Sequence, residues 1–322
     1  MRRIAIVLFC SVLLALSWWR SPLPSADSDP RVTFAALPLP DRPAFGPGLS
    51  LEGVWVLRGE GDDFGGYSAL VSLGNGNLLS ASDRGRYLRF ADPSRGEPQP
   101  RMGWFLMKPN EDKREADCES LTRDPATGTL WASYEHSNAI VRADTRGRRQ
   151  RTVRPAAMRD WPSNGGPEAM LRLADGRFLV LSESREGWFA RIGPALLFPS
   201  DPAEGAKPVT FHFQPPSGYR PTDLGQLPDG RILVLVRAMQ FVPPGFSAKI
   251  LIADPADIRE GETWEGKIIA DLAAPLPEDN YEGLAVEPAD DGSATVWVIS
   301  DDNRTSFQRT ILLKLHWQPQ VR

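Results

Sequence analysis

Short apolar runs, broken by turns of Gly, Asn, Asp and Pro, recur from residue 49 to residue 317. Five times an acidic or hydroxyl residue stands beside a small or apolar pair, and a turn and a second apolar strand follow. The copies read Tyr67-Ser68-Ala69-Leu70, Cys118-Glu119-Ser120-Leu121, Pro167-Glu168-Ala169-Met170, Thr222-Asp223-Leu224-Gly225 and Tyr281-Glu282-Gly283-Leu284. Their partners are LLSAS (78–82), LWASY (130–134), FLVLS (178–182), ILVLV (232–236) and VWVIS (296–300). Taken at Ser68, Glu119, Glu168, Asp223 and Glu282, the copies are 51, 49, 55 and 59 residues apart. A period of this length made only of strands and turns predicts an all-β fold, a β-propeller.

Each unit reads as four strands, except the fifth, where only EGLAVEP, TVWVISD and TILLKLHW remain before the sequence ends. The strand LSLEGVWVLRG (49–59) precedes the first unit and supplies the missing fourth strand. This predicts five four-stranded blades, with the ring closed by strands from both ends of the chain and no edge left unpaired. Six blades is the alternative, if VTFAALPL (32–39) and 49–59 start another sheet. Asn75-Gly76, Asp175-Gly176, Asp229-Gly230 and Asp291-Gly292 mark the turns between first and second strands, where positive φ is needed. Thr127-Gly128 fills that slot in the second unit.

The start of the chain departs from this pattern. Arg2 and Arg3 precede an apolar run from Ile4 to Leu16, and Ala15-Leu16-Ser17 offers small residues for cleavage. Residues 1–17 read as a secretory signal peptide. The alternative is an uncleaved anchor over residues 4–19, held at the inner-membrane interface by Trp18 and Trp19. Residues 18–48 read as a Pro-rich linker and strap, and 49–322 as the propeller domain. The expected location is periplasmic or secreted. Removal of the leader leaves Cys118 as the one cysteine, so no disulfide within the chain is expected. It also takes Arg2 and Arg3, moving the formal charge from −4 to −6, which argues against a nucleic-acid partner. A monomer acting on a small anionic substrate is the expectation.

Neighbouring strands in a blade are antiparallel, so the start of each first strand and the end of each second strand share one face. Ser68, Glu119, Glu168, Asp223 and Glu282 are expected to ring the channel mouth. The loops Asp83-Arg84-Gly85-Arg86, Glu135-His136, Glu183-Ser184-Arg185, Arg237 and Asp301-Asp302-Asn303-Arg304 are expected just outside. Converging carboxylates raise one another's pKa, and a hard divalent cation relieves them. Calcium, which takes six to eight oxygens, suits Glu119, Glu168, Asp223 and Glu282. Arg84, Arg237 and Arg304 are the candidates to hold an anion, and Asp83, His136 and Asp302 to move a proton. The bland reading of the ring is that its carboxylates accept backbone N–H bonds and lock blade to blade.

Phe64-Gly65-Gly66-Tyr67-Ser68-Ala69-Leu70 followed by Ser82-Asp83-Arg84-Gly85 resembles the start of exported bacterial proteins of the phytase-like family, "esterase-like activity of phytase". Asp117-Cys118-Glu119-Ser120-Leu121, Asn164-Gly165-Gly166-Pro167-Glu168-Ala169 and Asn280-Tyr281-Glu282-Gly283-Leu284 are similar to its later motifs. The resemblance spans about 50–317. It implies a β-propeller and, by name, hydrolysis of phosphate esters. The Asp-rich opening strand and Lys-rich phosphate loops of the calcium-dependent propeller phytases proper are not found, which argues against phytate as substrate. Two rival readings stand beside a metal-assisted phosphoesterase. One is a lactonase or sugar-ester hydrolase; the other is a non-catalytic binding or scaffold propeller.

Overall fold

Second strands such as FLVLS and ILVLV are apolar at consecutive positions, which requires both faces of the strand to be buried. The computed structural model shows how. It describes residues 31–39, 45–61, 63–106, 116–144, 148–184, 191–241, 244–305 and 307–319. The leader, Trp18, Trp19 and Arg185 lie outside the described residues. Among the described residues no helix is long and apolar enough to cross a membrane.

Two strands, β1 (Val32–Ala36) and β2 (Leu49–Gly59), precede the repeats. The first blade is β3 (Tyr67–Gly74), β4 (Asn77–Ser82), β5 (Arg86–Ala91) and β6 (Arg101–Trp104). The second is β7 (Cys118–Arg123), β8 (Leu130–Tyr134), β9 (Ala139–Ala143) and β10 (Arg149–Val153). The third runs β11 (Pro167–Arg172), β12 (Phe178–Ser182), β13 (Gly193–Phe198) and β14 (Val209–Gln214), with β18 (Thr263–Glu265) outermost. The fourth is β15 (Arg220–Gln226), β16 (Ile232–Phe241), β17 (Pro244–Ala253) and β19 (Lys267–Leu272). The fifth is β20 (Asn280–Pro288), β21 (Ala294–Asp301) and β22 (Thr310–Trp317), completed by β2 and then β1.

The ring therefore has five blades, and β2 pairs antiparallel with β22 from Leu49↔Trp317 to Leu57↔Thr310. β1 adds a fifth strand to that same blade, so the six-blade alternative falls. The apolar core lies between blades. From β16, Leu233 and Leu235 pack towards the fifth blade while Ile232, Val234 and Val236 pack towards the third. The chain thus spends both faces of one strand on two neighbours.

Two local readings change. The run WEGKIIADL reads as one strand but is broken at Gly266. Its Trp264 packs on Phe211 and Phe213 of the third blade, while 267–272 closes the fourth. Among the hairpin turns, only Asn75-Gly76 has positive φ at both residues, 55° and 72°. In the Asp-Gly turns the glycine alone is left-handed, and the Asp side chain accepts the N–H two residues on, as Asp175 does from Arg177 and Asp229 from Arg231.

Candidate functional site

A β-bulge opens the first strand of every blade. The ladder skips one residue between Tyr67 and Ala69, Cys118 and Ser120, Pro167 and Ala169, Pro221 and Asp223, and Tyr281 and Gly283. A bulge frees one residue from pairing and re-aims its side chain. The freed residues are Ser68, Glu119, Glu168, Thr222 and Glu282. In the fourth blade the sequence reading was therefore one residue out: Thr222 takes the bulge, not Asp223. Both are polar and adjacent, so the pattern of apolar positions does not distinguish them.

Asp223 serves the fold instead. Its Oδ1 accepts from Ser120 Oγ at 2.9 Å and from Leu224 N–H at 2.9 Å, and its Oδ2 from Leu284 N–H at 2.7 Å. These bonds tie the fourth blade to the second and the fifth. Burial raises its pKa well above the usual range, against the pull of the N–H groups. Ser68 and Thr222 also turn to backbone, on Cys118 O at 2.7 Å and Tyr281 O at 3.5 Å.

Glu119, Glu168 and Glu282 gather with three further acids. Carboxylate oxygens of Asp117, Glu119 and Glu135 lie within 4.8 Å of one another, and so do those of Glu135, Glu168 and Glu183. The sequence placed Glu135 and Glu183 on this face without giving them a role as ligands, and it gave none to Asp117. One sign was present: the Gly-Gly pairs before Tyr67 and Pro167. A Cβ on Gly166 would sit 2.7 Å from Glu135 O and 2.5 Å from Asn138 Oδ1, so only glycine lets this backbone approach. The approach brings the Gly165 and Gly166 amides to the Glu135 carboxylate.

Two arginines reach these acids. Arg237 Nε is 3.0 Å from Glu282 Oε1, and its Nη2 is 3.4 Å from Glu183 Oε1 and 4.0 Å from Glu168 Oε1. Arg220 Nη1 meets Glu183 Oε2 at 3.1 Å. Asn280 Nδ2 donates to Glu282 Oε1 at 2.7 Å. Burial opposes the Arg237 charge, but Glu282, Glu183, Glu168 and Glu119 outweigh it and hold the guanidinium charged. Burial, then Glu168, Asp117, Glu282 and Glu135, push Glu119 well up. Burial and Glu183 do the same to Glu168, with Arg237 opposing. Glu135 is pushed up to about 7 by burial, then by Asp117 and Glu183. Glu168 Oε2 is buried and accepts no hydrogen bond among the described residues, in a side chain only 7% exposed.

The remaining candidates separate. Asp302 is a clamp: Oδ1 accepts from Gly66 N–H at 3.1 Å and Arg304 N–H at 2.9 Å, and Oδ2 from Thr310 Oγ1 at 2.9 Å. Asp83 is half-buried, and its charge acts on Glu282 and on Asp301. His136 is half-buried on the turn just after Glu135. Arg84 is half-buried, with its Nε lacking a hydrogen-bond partner among the described residues. Arg304 is half-buried with φ of 53°, in the loop that Asp302 clamps.

This donor set fits a hard divalent cation. It is all oxygen and mostly carboxylate, it carries more negative charge than two arginines balance, and it holds one buried acceptor, Glu168 Oε2, with no donor among the described residues. Zinc-type sulfur or imidazole donors are absent from both triads.

A family model described as phytase-like, esterase-like activity of phytase, matches residues 62–304. No curated protein matches. Among solved structures, the chain is similar to a Kuenenia stuttgartiensis hydrazine synthase at 13% identity and a TM-score of 0.41, covering 78% of this chain and 63% of that one. It is also similar to a protein of unknown function from Bacteroides caccae, at 13% identity and a TM-score of 0.37, covering 73% and 70%. The RRP9 WD40 repeats match at 10% identity and a TM-score of 0.44, covering 85% and 99%.

Proposed function

Given that the chain belongs to the phytase-like family, we propose that it is an exported hydrolase of ester bonds, with a phosphate ester as substrate and calcium as cofactor. The observation that carries this reading is the carboxylate group on the channel face, which includes the buried Glu168 Oε2, without a hydrogen-bond partner among the described residues. Asp117, Glu119, Glu135, Glu168 and Glu183 would hold the cation. When bound, it would polarise an ester oxygen and ease ionisation of water. The chain's own part is separable. Arg237 fixes the carboxylates of Glu282, Glu183 and Glu168 in one arrangement. His136, on the turn just after Glu135, would hold or release the proton. Asp83 and Arg84 follow the second strand of the first blade and would meet the substrate from that side.

A second reading is favoured by one specific feature. Arg237 and Arg220 are both engaged by carboxylates, which leaves little positive charge for a polyanion. A lactone or sugar ester needs none. The non-catalytic scaffold reading gains from Asp223, Ser68 and Thr222, which do lock blades, but it leaves the six gathered acids without a purpose.

The test is a melting experiment paired with a hydrolysis screen. Chelator should lower the Tm of the purified protein and calcium should restore it, because a ligand of the folded state stabilises by mass action. Glu168→Gln should lose most of that restoration together with hydrolysis of phosphomonoesters, phosphodiesters or lactones. No calcium shift and no hydrolysis in any class would return the protein to the scaffold reading. Export is proposed from the leader alone, and intact mass of periplasmic material should show a mature start between residues 18 and 27.

A further inference from the structure

β16 and β17 are each ten residues long and remain paired beyond the blade, to Phe241↔Pro244. Their outer half stands above the carboxylate face, since Arg237, which reaches the acids, lies midway along β16. Side chains two apart in a strand share a face and are about 7 Å apart. Met239 is thus on the Arg237 side, one step further out, and Phe246 is directly opposite Met239. The distances agree: the Phe246 ring lies 5.9 Å from the Arg237 guanidinium that holds Glu282, Glu183 and Glu168. Met239 is 55% exposed, although it is large and apolar.

We infer that Met239 and Phe246 form an apolar rim over the acidic site, which selects esters carrying an alkyl or aryl group. The inference rests on the hydrolase reading and names its substrate class. Charge explains why such a rim is needed. The face is rich in carboxylates, and both of its paired arginines are engaged by them, so the arginines add little attraction for an anionic head. Discrimination among esters then comes from burying an apolar portion, at about 0.8 kcal/mol per methylene, or about fourfold in Kd. Phe246 is stiff and offers a flat ring, whereas Met239 adapts to the shape of the chain it covers.

The experiment measures binding without turnover. Methyl-, butyl- and hexylphosphonate, with N-alkylacetamides as a neutral series, are titrated calorimetrically into the full protein in calcium buffer. The expected result is tighter binding with chain length, up to about fourfold per methylene. Met239→Ser/Phe246→Ser should flatten that gradient. Met239→Ser alone, at an exposed position that does not endanger folding, should reduce it. Ile268→Ser should keep the full gradient, since this equally apolar side chain is 45% exposed on the outermost strand of the same blade. A gradient confined to the acetamides and lost in the double variant keeps the rim and removes the phosphate reading. No gradient in either series, or one that survives Met239→Ser/Phe246→Ser, overturns the inference.

Discussion

Replacing Asp223 with alanine separates a fold-making carboxylate from the cation-binding ones. Asp223→Ala removes the acceptor for two buried N–H groups, Leu224 at 2.9 Å and Leu284 at 2.7 Å. Ser120 Oγ loses a partner too, but it keeps Met170 O at 3.2 Å and is not orphaned. Each orphaned buried N–H costs about 1–3 kcal/mol, so the gross loss is about 2–6 kcal/mol. Burial of the carboxyl, which raises its pKa, offsets part of this. A net loss of about 2–4 kcal/mol is expected. Asp223→Asn retains one acceptor oxygen and should lose about half as much. Urea midpoints, taken in calcium and again in chelator, give the answer. The losses should be the same in both buffers, because both Asp223 oxygens already accept from protein donors. A loss seen only in calcium would make Asp223 a ligand after all, and an unchanged midpoint would refute its role as a tie between blades.

The acidic site should make the calcium-free protein sensitive to pH. Glu135 has a folded pKa raised from 4.5 to about 7; it binds more protons folded than unfolded, so stability is full at low pH and falls between these values. In chelator, Tm should therefore drop from pH 5 to pH 8, by less in Glu135→Gln; a flat or rising Tm in the wild type would contradict this. Arg237→Met leaves Glu282, Glu183 and Glu168 without their shared cation, in a side chain 21% exposed. It should cost about 2–4 kcal/mol in chelator and less in calcium, by urea midpoint. A chain starting at residue 61 lacks β2 and uncovers β22 along its length; size-exclusion chromatography should show aggregate rather than monomer.

The architecture was readable because a blade writes itself into the chain. Second strands buried on both faces give unbroken apolar runs, and the turns between them need Gly and Asn. The spacing of five such pairs, with one strand to spare at 49–59, pointed to the five-bladed ring and its closure through β2 and β22, and the pairing of β1 with β2 removed the six-blade alternative. The sequence also determined the face on which Glu119, Glu168, Glu282 and Arg237 would meet.

Tertiary structure decided the rest, for physical reasons that apolar periodicity does not carry. A bulge adds one residue without disturbing the buried positions on either side, so Thr222 and Asp223 exchange roles unseen, and a supposed ligand becomes a tie between blades. Strand assignment across Gly266 depends on which neighbour has room for Trp264, and that room is made by Phe211 and Phe213, some fifty residues earlier. Asp117 and Glu135 reach Glu119 within the second blade, whereas Glu135 meets Glu168 and Glu183 of the third only when those two blades are set side by side. Ring geometry, not the local sequence, brings the two groups together.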